Sequence, residues 1–262
     1  MYMPYPDGEG YTAVNAATWD RWAADGCMWS IPVTHEEFER AKKGEWGVYL
    51  TPCKPVPREW FPLLEGAELL GLASGGGQQM PIFTTLGARC TVFDYSTAQL
   101  DREREVAARE GYDIRIVQGD MTKPLPFADG SFDVIFHPVS NCYIQEVEPV
   151  WRECFRVLKR GGVLLAGFDN GLNFLFNDDA LPLVVANKLP FDPLRSLDEE
   201  GYRRMVENGE GVQFSHTLEE QLGGQLRAGF RLTDLYEDRD REGCGVLREY
   251  ANQYMATRAV KP

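Results

Sequence analysis

The chain has 262 residues, 44% of them hydrophobic, which is enough for one large domain or one domain with an appended cap. Lys plus Arg number 27 and Asp plus Glu 40, and the resulting charge of −13 argues against a nucleic-acid partner, because an acidic surface repels phosphate. No apolar run reaches membrane-spanning length, and Met1–Asp7 carries neither a basic n-region nor an apolar h-region. Six cysteines without CxxC spacing read as reduced thiols, so a cytoplasmic protein without a metal site or a disulfide framework is expected.

Residues 1–65 are rich in aromatics and prolines and read as a cap or lid. A helix is expected over 15–24, with Trp19 and Trp22 on one face. Thr34 and Glu37 have the spacing of a capping box, opening a helix that should run to about Lys43 and stop at Gly44. Pro52, Pro55, Pro57 and Pro62 keep the following stretch extended or turning.

From residue 66 to the end the pattern is that of one α/β domain. Strands are expected at 68–72, 89–94, 113–118, 132–137 and 162–168. Helices are expected from the glycines to Leu86, over 96–110 and over 149–158. The last of these should close on Lys159-Arg160-Gly161-Gly162, basic residues followed by glycine. Residues from about 169 to 213 break the rhythm and read as an insertion. A helix over 217–228 and strands over 230–236 and 254–260 complete the chain. The implied fold is a doubly wound, mostly parallel seven-stranded sheet with helices on both faces and its last strand antiparallel.

The sequence centres on Leu69-Leu70-Gly71-Leu72-Ala73-Ser74-Gly75-Gly76-Gly77-Gln78-Gln79, an apolar strand running into a glycine turn. Such a turn tolerates positive φ, lets a ligand approach the backbone and offers free amides at a helix N-terminus. Asp94, 19 residues after Gly75 at the tip of the next strand, suits the two hydroxyls of a ribose. Every register of the dinucleotide fingerprint G-x-G-x-x-G fails at one or more positions.

The stretch resembles motif I of class I S-adenosylmethionine-dependent methyltransferases, (D/E)-x-G-x-G-x-G, whose glycines fall on Ala73, Gly75 and Gly77. The motif's acid falls on Gly71, where this chain has none. Companion segments agree: Gly119-Asp120-Met121 after the third strand, Ala128–Ile135 entering the fourth, and Val157–Leu164 leading to the fifth. The resemblance implies S-adenosylmethionine as methyl donor and S-adenosylhomocysteine as product. It assigns cofactor contacts to Ala73, Ser74, Gly75, Gly77, Gln78, Asp94, Tyr95, Gly119, Asp120, Met121 and His137. It further implies a methyltransferase acting on a small molecule.

His137 and Asn141 follow the fourth strand, where ligands of open α/β sheets bind. One reading makes them a general base and an orienting amide; the other makes His137 a locally satisfied histidine. His216 is a weaker candidate, since capping by Ser215 or Thr217 explains its surroundings. Two other functions are weighed, a nicotinamide-dependent oxidoreductase and a non-catalytic S-adenosylmethionine sensor. The oligomeric state has no signal in the sequence.

Overall fold

The computed structural model describes residues 10–178 and 181–262, so the N-terminal stretch read above for a leader lies outside the described residues. The main sheet has seven strands in the order β3-β2-β1-β4-β5-β9-β8. They are β1 (Glu68–Leu72), β2 (Arg89–Asp94), β3 (Arg115–Gln118), β4 (Phe132–His137), β5 (Leu158–Asp169), β8 (Arg231–Asp238) and β9 (Tyr254–Val260). A two-residue hairpin, β6 (Phe176–Asn177) with β7 (Val184–Val185), lies in the insertion. β9 runs antiparallel between β5 and β8, and the five strands β1 to β5 are parallel.

The strands form where the sequence is apolar on both faces, because helices cover both sides. Leu69, Val92, Val134, Phe136 and Leu165 bury against one layer; Leu70, Leu72, Phe93, Ile135 and Leu164 bury against the other. The helices are α1 (Tyr11–Ala24), α2 (His35–Lys42), α3 (Met80–Thr85), α4 (Thr97–Glu110) and α5 (Glu148–Val157). Two short turns of helix, α6 (Leu172–Leu175) and α7 (Pro193–Ser196), precede α8 (Glu199–Asn208) and α9 (Gly224–Ala228).

The Thr34–Glu37 capping box is present, and α2 ends two residues before Gly44, which takes φ 86°. The N-terminal segment divides in two. Val48, Leu50, Val56, Trp60 and Leu64 sink into the same core as β1, whereas α1 lies against α4, above the strand tips.

Three local expectations change. The helix after the glycines starts only at Met80, so the glycine turn lies outside its first turn. α5 ends at Val157, and Leu158, fully buried and paired with Phe132, already belongs to β5. Gly161, at φ 79°, then sits inside β5 near a register shift rather than closing the helix. The helix expected from Thr217 is a π-turn, Glu219–Gly223, leading into α9. Its start is capped by Thr217, whose hydroxyl accepts from the Glu220 amide at 3.2 Å.

Candidate active site

A cavity of about 890 Å³ opens over the C-terminal ends of the parallel strands, at the upper end of the range for small-molecule sites. Strand order reverses between β1 and β4, where doubly wound sheets hold their ligands. The walls are the glycine turn, the tips of β2, β4 and β5, α1 with the segment that follows it, and part of the insertion.

The tip of β2 organises the turn. Asp94 Oδ2 accepts from the Gly75 amide at 2.9 Å and Oδ1 from the Ser96 amide at 3.0 Å. Burial pushes its carboxyl above the ordinary range, opposed by these backbone donors. A Cβ on Gly75 would lie 2.7 Å from Gln99 Cβ and 3.0 Å from Asp94 Oδ2, so only glycine admits this close approach. The other turn amides are also engaged internally: Gly76 donates to Gln99 O at 2.9 Å and Gly77 to Glu103 Oε1 at 2.8 Å. The glycines therefore provide proximity, and the free amides expected from the sequence are absent at Gly75, Gly76 and Gly77.

Glu103 went unnoticed in the sequence. It is fully buried on α4 beneath the turn, and burial lifts its carboxyl to about 8. Its Oε2 has no hydrogen-bond partner.

The acid missing at Gly71 has a steric explanation. A Cβ there would lie 2.6 Å from Met80 Sδ and 2.7 Å from Met80 Cε, and Met80 is fully buried. Methionine packing fills the space that a carboxylate would need. Ala73 stands in for the motif's first glycine at φ 47°, in the left-handed region.

The assigned residues divide by position. Ala73, Ser74, Gly75, Gln78, Asp94, Tyr95, Gly119, Asp120 and Met121 line the cavity. Ser74 is buried there with its hydroxyl unpartnered. Asp120 Oδ1 accepts from the Thr122 amide at 2.8 Å, an Asx turn that fixes the side chain. A Cβ on Gly119 would lie 2.5 Å from Phe93 Cζ, so glycine is required beside that ring. Gly77 does not line the cavity, and a Cβ on it would meet Val106, Arg102 O and Pro32. Gln78 contacts the wall, but its amide nitrogen clamps the carbonyls of Met28 and Ile31, both at 3.0 Å, and Gln79 Oε1 accepts from the Tyr49 amide at 3.1 Å. The two glutamines fasten the N-terminal segment to the turn.

His137 and Asn141, read as candidate catalytic residues and His137 also as a cofactor contact, do not line the cavity. Both are fully buried. His137 Nδ1 lies 2.9 Å from Leu72 O, and Nε2 pairs at 2.8 Å with the Asn141 amide, which continues to Gln221 at 2.9 Å. Burial pushes the imidazole below its ordinary value, opposed by its hydrogen bonds to Leu72 and Asn141. The apolar run Val134-Ile135-Phe136 carries His137 into the strand and so into the core. His216 is likewise enclosed, with Nε2 3.0 Å from Asn141 O and 2.9 Å from Ile144 O.

Asp133 has a structural role, accepting from the Glu68 amide at 2.9 Å and from Lys159 Nζ at 2.6 Å. Trp19, Trp29 and Trp46 line the cavity, while Trp22 packs on Trp19 edge to face at 5.1 Å.

The lid helix α1 is held by side chains the sequence did not single out. Asn15 donates to Tyr143 O at 3.0 Å and Val212 O at 2.9 Å, and accepts from the Val212 amide at 2.6 Å. Asp20 accepts from Ser96 Oγ at 2.6 Å and the Ala98 amide at 2.9 Å, joining α1 to the N-terminus of α4.

A further wall residue was missed. Asp169, at the tip of β5, is 2% exposed and lines the cavity. Its Oδ1 accepts from the Gly171 amide at 2.9 Å, and its Oδ2 has no partner. Burial pushes its carboxyl up to about 6. The signal was the same as at Asp94: an acid ending an apolar strand at the ligand edge.

A glycine turn held by an acid on the neighbouring strand, at the reversal of a doubly wound sheet, defines a Rossmann-like protein built for a nucleoside cofactor. Comparisons with known proteins narrow the class. A family described as a methyltransferase domain matches residues 70–166. The chain is 43% identical over 252 residues to an uncharacterized methyltransferase of Bacillus subtilis, YbaJ, covering 95% of this chain and 98% of that one. It is 26% identical over 170 residues to a sterol 24-C-methyltransferase of Gibberella zeae, covering 64% of this chain and 40% of that one. The structure of an S-adenosylmethionine-dependent methyltransferase from Mesorhizobium loti shares the fold, with TM-score 0.59 and 17% identity over 78% of this chain and 94% of that one. The chain belongs to the class I S-adenosylmethionine-dependent methyltransferases. S-adenosylmethionine is its cofactor, and neither the nicotinamide-dependent nor the sensor reading is favoured.

Among the described residues no helix is long and apolar enough to cross a membrane, and no cluster of three His, Cys, Asp or Glu could hold a metal ion. All six cysteines are free; Cys90, Cys142 and Cys154 are buried, and Cys53 is exposed.

Proposed function

We propose that the protein transfers the methyl group of S-adenosylmethionine to a small-molecule acceptor in the cytoplasm. The observation that carries this reading is that the chain's own α1 and insertion form walls of the cavity that Asp94 also lines. A macromolecular acceptor would have to reach past a helix fastened by Asn15 and Asp20. The charge of −13 further disfavours DNA or RNA.

In this reading residues 1–65 are a lid whose second half is rooted in the core, and residues 66–262 are the methyltransferase domain with its insertion at about 169–213. Asp94 would hold the ribose hydroxyls. Tyr95, Asp120 and Met121 would flank the adenine, and the unpartnered Ser74 hydroxyl offers a polar contact beside Ala73 and Gly75. When bound, the sulfonium donor supplies an already activated methyl group, so the protein's work is alignment and exclusion of water. Trp19, Trp29 and Trp46 supply the apolar wall.

The test is release of S-adenosylhomocysteine from S-adenosylmethionine when the protein is mixed with the small-molecule or the macromolecular fraction of a bacterial extract. Release driven by the small-molecule fraction supports the reading. Release driven by the macromolecular fraction alone overturns it.

A further inference from the structure

Resting on the methyl-transfer reading above, we infer that the acceptor end of the cavity is a subsite for an amine, and that the Asp169 carboxylate receives the proton its nitrogen gives up.

Position comes first. Asp94, the ribose acid, ends β2, and Asp169 ends β5. In the order β2-β1-β4-β5 these tips are three strand spacings apart, roughly 14 Å. Asp169 thus lies beyond the glycine turn, on the side away from the ribose, where an acceptor must approach. Its neighbours along the sheet edge agree. It pairs in register with Tyr254 on β9, and Cys142, Tyr143 and Phe174 line the same cavity.

Bonding comes second. Asp169 is 2% exposed, its Oδ1 is held by the Gly171 amide, and its Oδ2 has no partner. A buried carboxylate oxygen left without a donor costs stability, and an N–H on a ligand would satisfy it. Asp240, the other acid at this end, is already engaged: its Oδ2 accepts from Tyr254 Oη at 3.0 Å and its Oδ1 from the Arg241 amide at 2.8 Å.

Charge comes third. The described wall carries six carboxylates, Glu37, Glu45, Asp94, Asp120, Asp169 and Asp240, against two cations, Arg40 and Arg241. Arg241 lies over the Trp29 ring at 4.4 Å and donates to Pro52 O at 3.0 Å, so it is committed to the lid. Tyr143, Phe174 and Tyr254 add ring faces. Carboxylate and aromatic faces together favour an ammonium over an anion or a neutral alcohol.

No other group at this end suits the proton. Burial pushes Cys142, Tyr143 and Tyr254 well above their ordinary values, which keeps them protonated, and His137 and His216 do not line the cavity. The step balances. A bound ammonium gives one proton to Asp169, and the freed lone pair attacks the donor's methyl carbon. The new C–N bond forms as the C–S bond breaks, and that electron pair stays on sulfur as a neutral thioether. The product leaves as a methylated ammonium, and Asp169 returns its proton to solvent.

The test uses the full chain loaded with S-adenosylhomocysteine and a panel of aliphatic and arylalkyl primary amines, each paired with the alcohol of matching shape. Binding is read by calorimetry and thermal shift, and turnover by S-adenosylhomocysteine release. Amines should bind at least tenfold tighter than their paired alcohols, and at least one should turn over. Asp169→Asn should keep S-adenosylhomocysteine affinity within twofold, abolish the preference for amines over alcohols, and lower kcat/KM at least 100-fold. Equal or tighter binding of the alcohols by the parent protein overturns the proposal without any variant. So does an intact amine preference in Asp169→Asn, or the absence of any amine turnover in a protein that binds the donor. Loss of S-adenosylhomocysteine affinity in Asp169→Asn would give the carboxylate to the donor's own ammonium and likewise overturn it. Failure of the parent to bind either adenosyl compound would instead strike the methyl-transfer reading.

Discussion

Replacing Glu103 by glutamine should remove a large part of the stability that the protein loses as pH rises from 4.5 to about 8. Glu103 is fully buried, with one oxygen on the Gly77 amide at 2.8 Å and the other unpartnered. Burial, reinforced by the nearby charge of Asp94, raises its carboxyl from 4.5 to about 8. A raised value means that the folded protein keeps a proton the unfolded chain loses. The neutral group therefore supports the fold fully below pH 4.5, and that support drains away as pH rises to about 8. At the alkaline limit the difference corresponds to roughly 5 kcal/mol, comparable to the whole stability of a marginal domain. Glutamine keeps a carbonyl for Gly77 and never ionises. Urea unfolding of both proteins at about pH 5.5 and about pH 8.5 isolates this group, because Asp94, Asp169 and the histidines titrate in both. The parent should lose roughly 3 kcal/mol more than Glu103→Gln across that interval. Parallel losses in the two proteins would refute the reasoning.

Three further outcomes follow from the turn and the lid. Ala73→Gly should stabilise the protein by about 0.5 kcal/mol in urea unfolding, because it relieves a left-handed Cβ at φ 47° and gives back part of the gain as chain entropy; a destabilised variant would contradict this. Gly71→Asp should cost roughly 2–4 kcal/mol, since its Cβ meets Met80 and its charge enters the core. The double variant with Met80→Ala should show a favourable coupling above about 1 kcal/mol in a double-mutant cycle. Asn15→Ala should cost about 2–3 kcal/mol, because the Val212 amide and two carbonyls lose their partner, and should speed limited proteolysis within α1.

Three strands of the parallel sheet, β1, β2 and β4, could be read to the residue because they are buried on both faces. Runs such as Leu69-Leu70 and Val134-Ile135-Phe136 have no competing helical period, and β1, β2, β4 and β9 begin and end where expected. Asp94 was legible because its position depends only on the end of one strand and the start of one helix. The glycine turn was legible as a ligand edge but not in its bonding. That its amides turn inward depends on Glu103, which sits in the charged string Asp101-Arg102-Glu103-Arg104-Glu105 and reads there as solvated. Only the packing of α4 beneath the turn buries it. The same limit applies to Gly71, whose missing acid was visible while the Met80 side chain filling its place was not. His137 was ambiguous for a different reason. A histidine at a strand's C-terminal end can face the cavity or the core, and the choice is made by partners distant in sequence, Leu72 and Gln221.

The central claim is that the glycine turn and Asp94 form the adenosyl site of a methyltransferase. Calorimetric titration of the parent protein and Asp94→Asn with S-adenosylhomocysteine, S-adenosylmethionine and NAD tests it most directly. The parent should bind both adenosyl compounds at one site per chain and NAD not at all. Asp94→Asn, still folded by its melting transition, should lose at least 100-fold in adenosyl affinity. An unchanged affinity in Asp94→Asn, or NAD binding in place of the adenosyl compounds, would contradict the account.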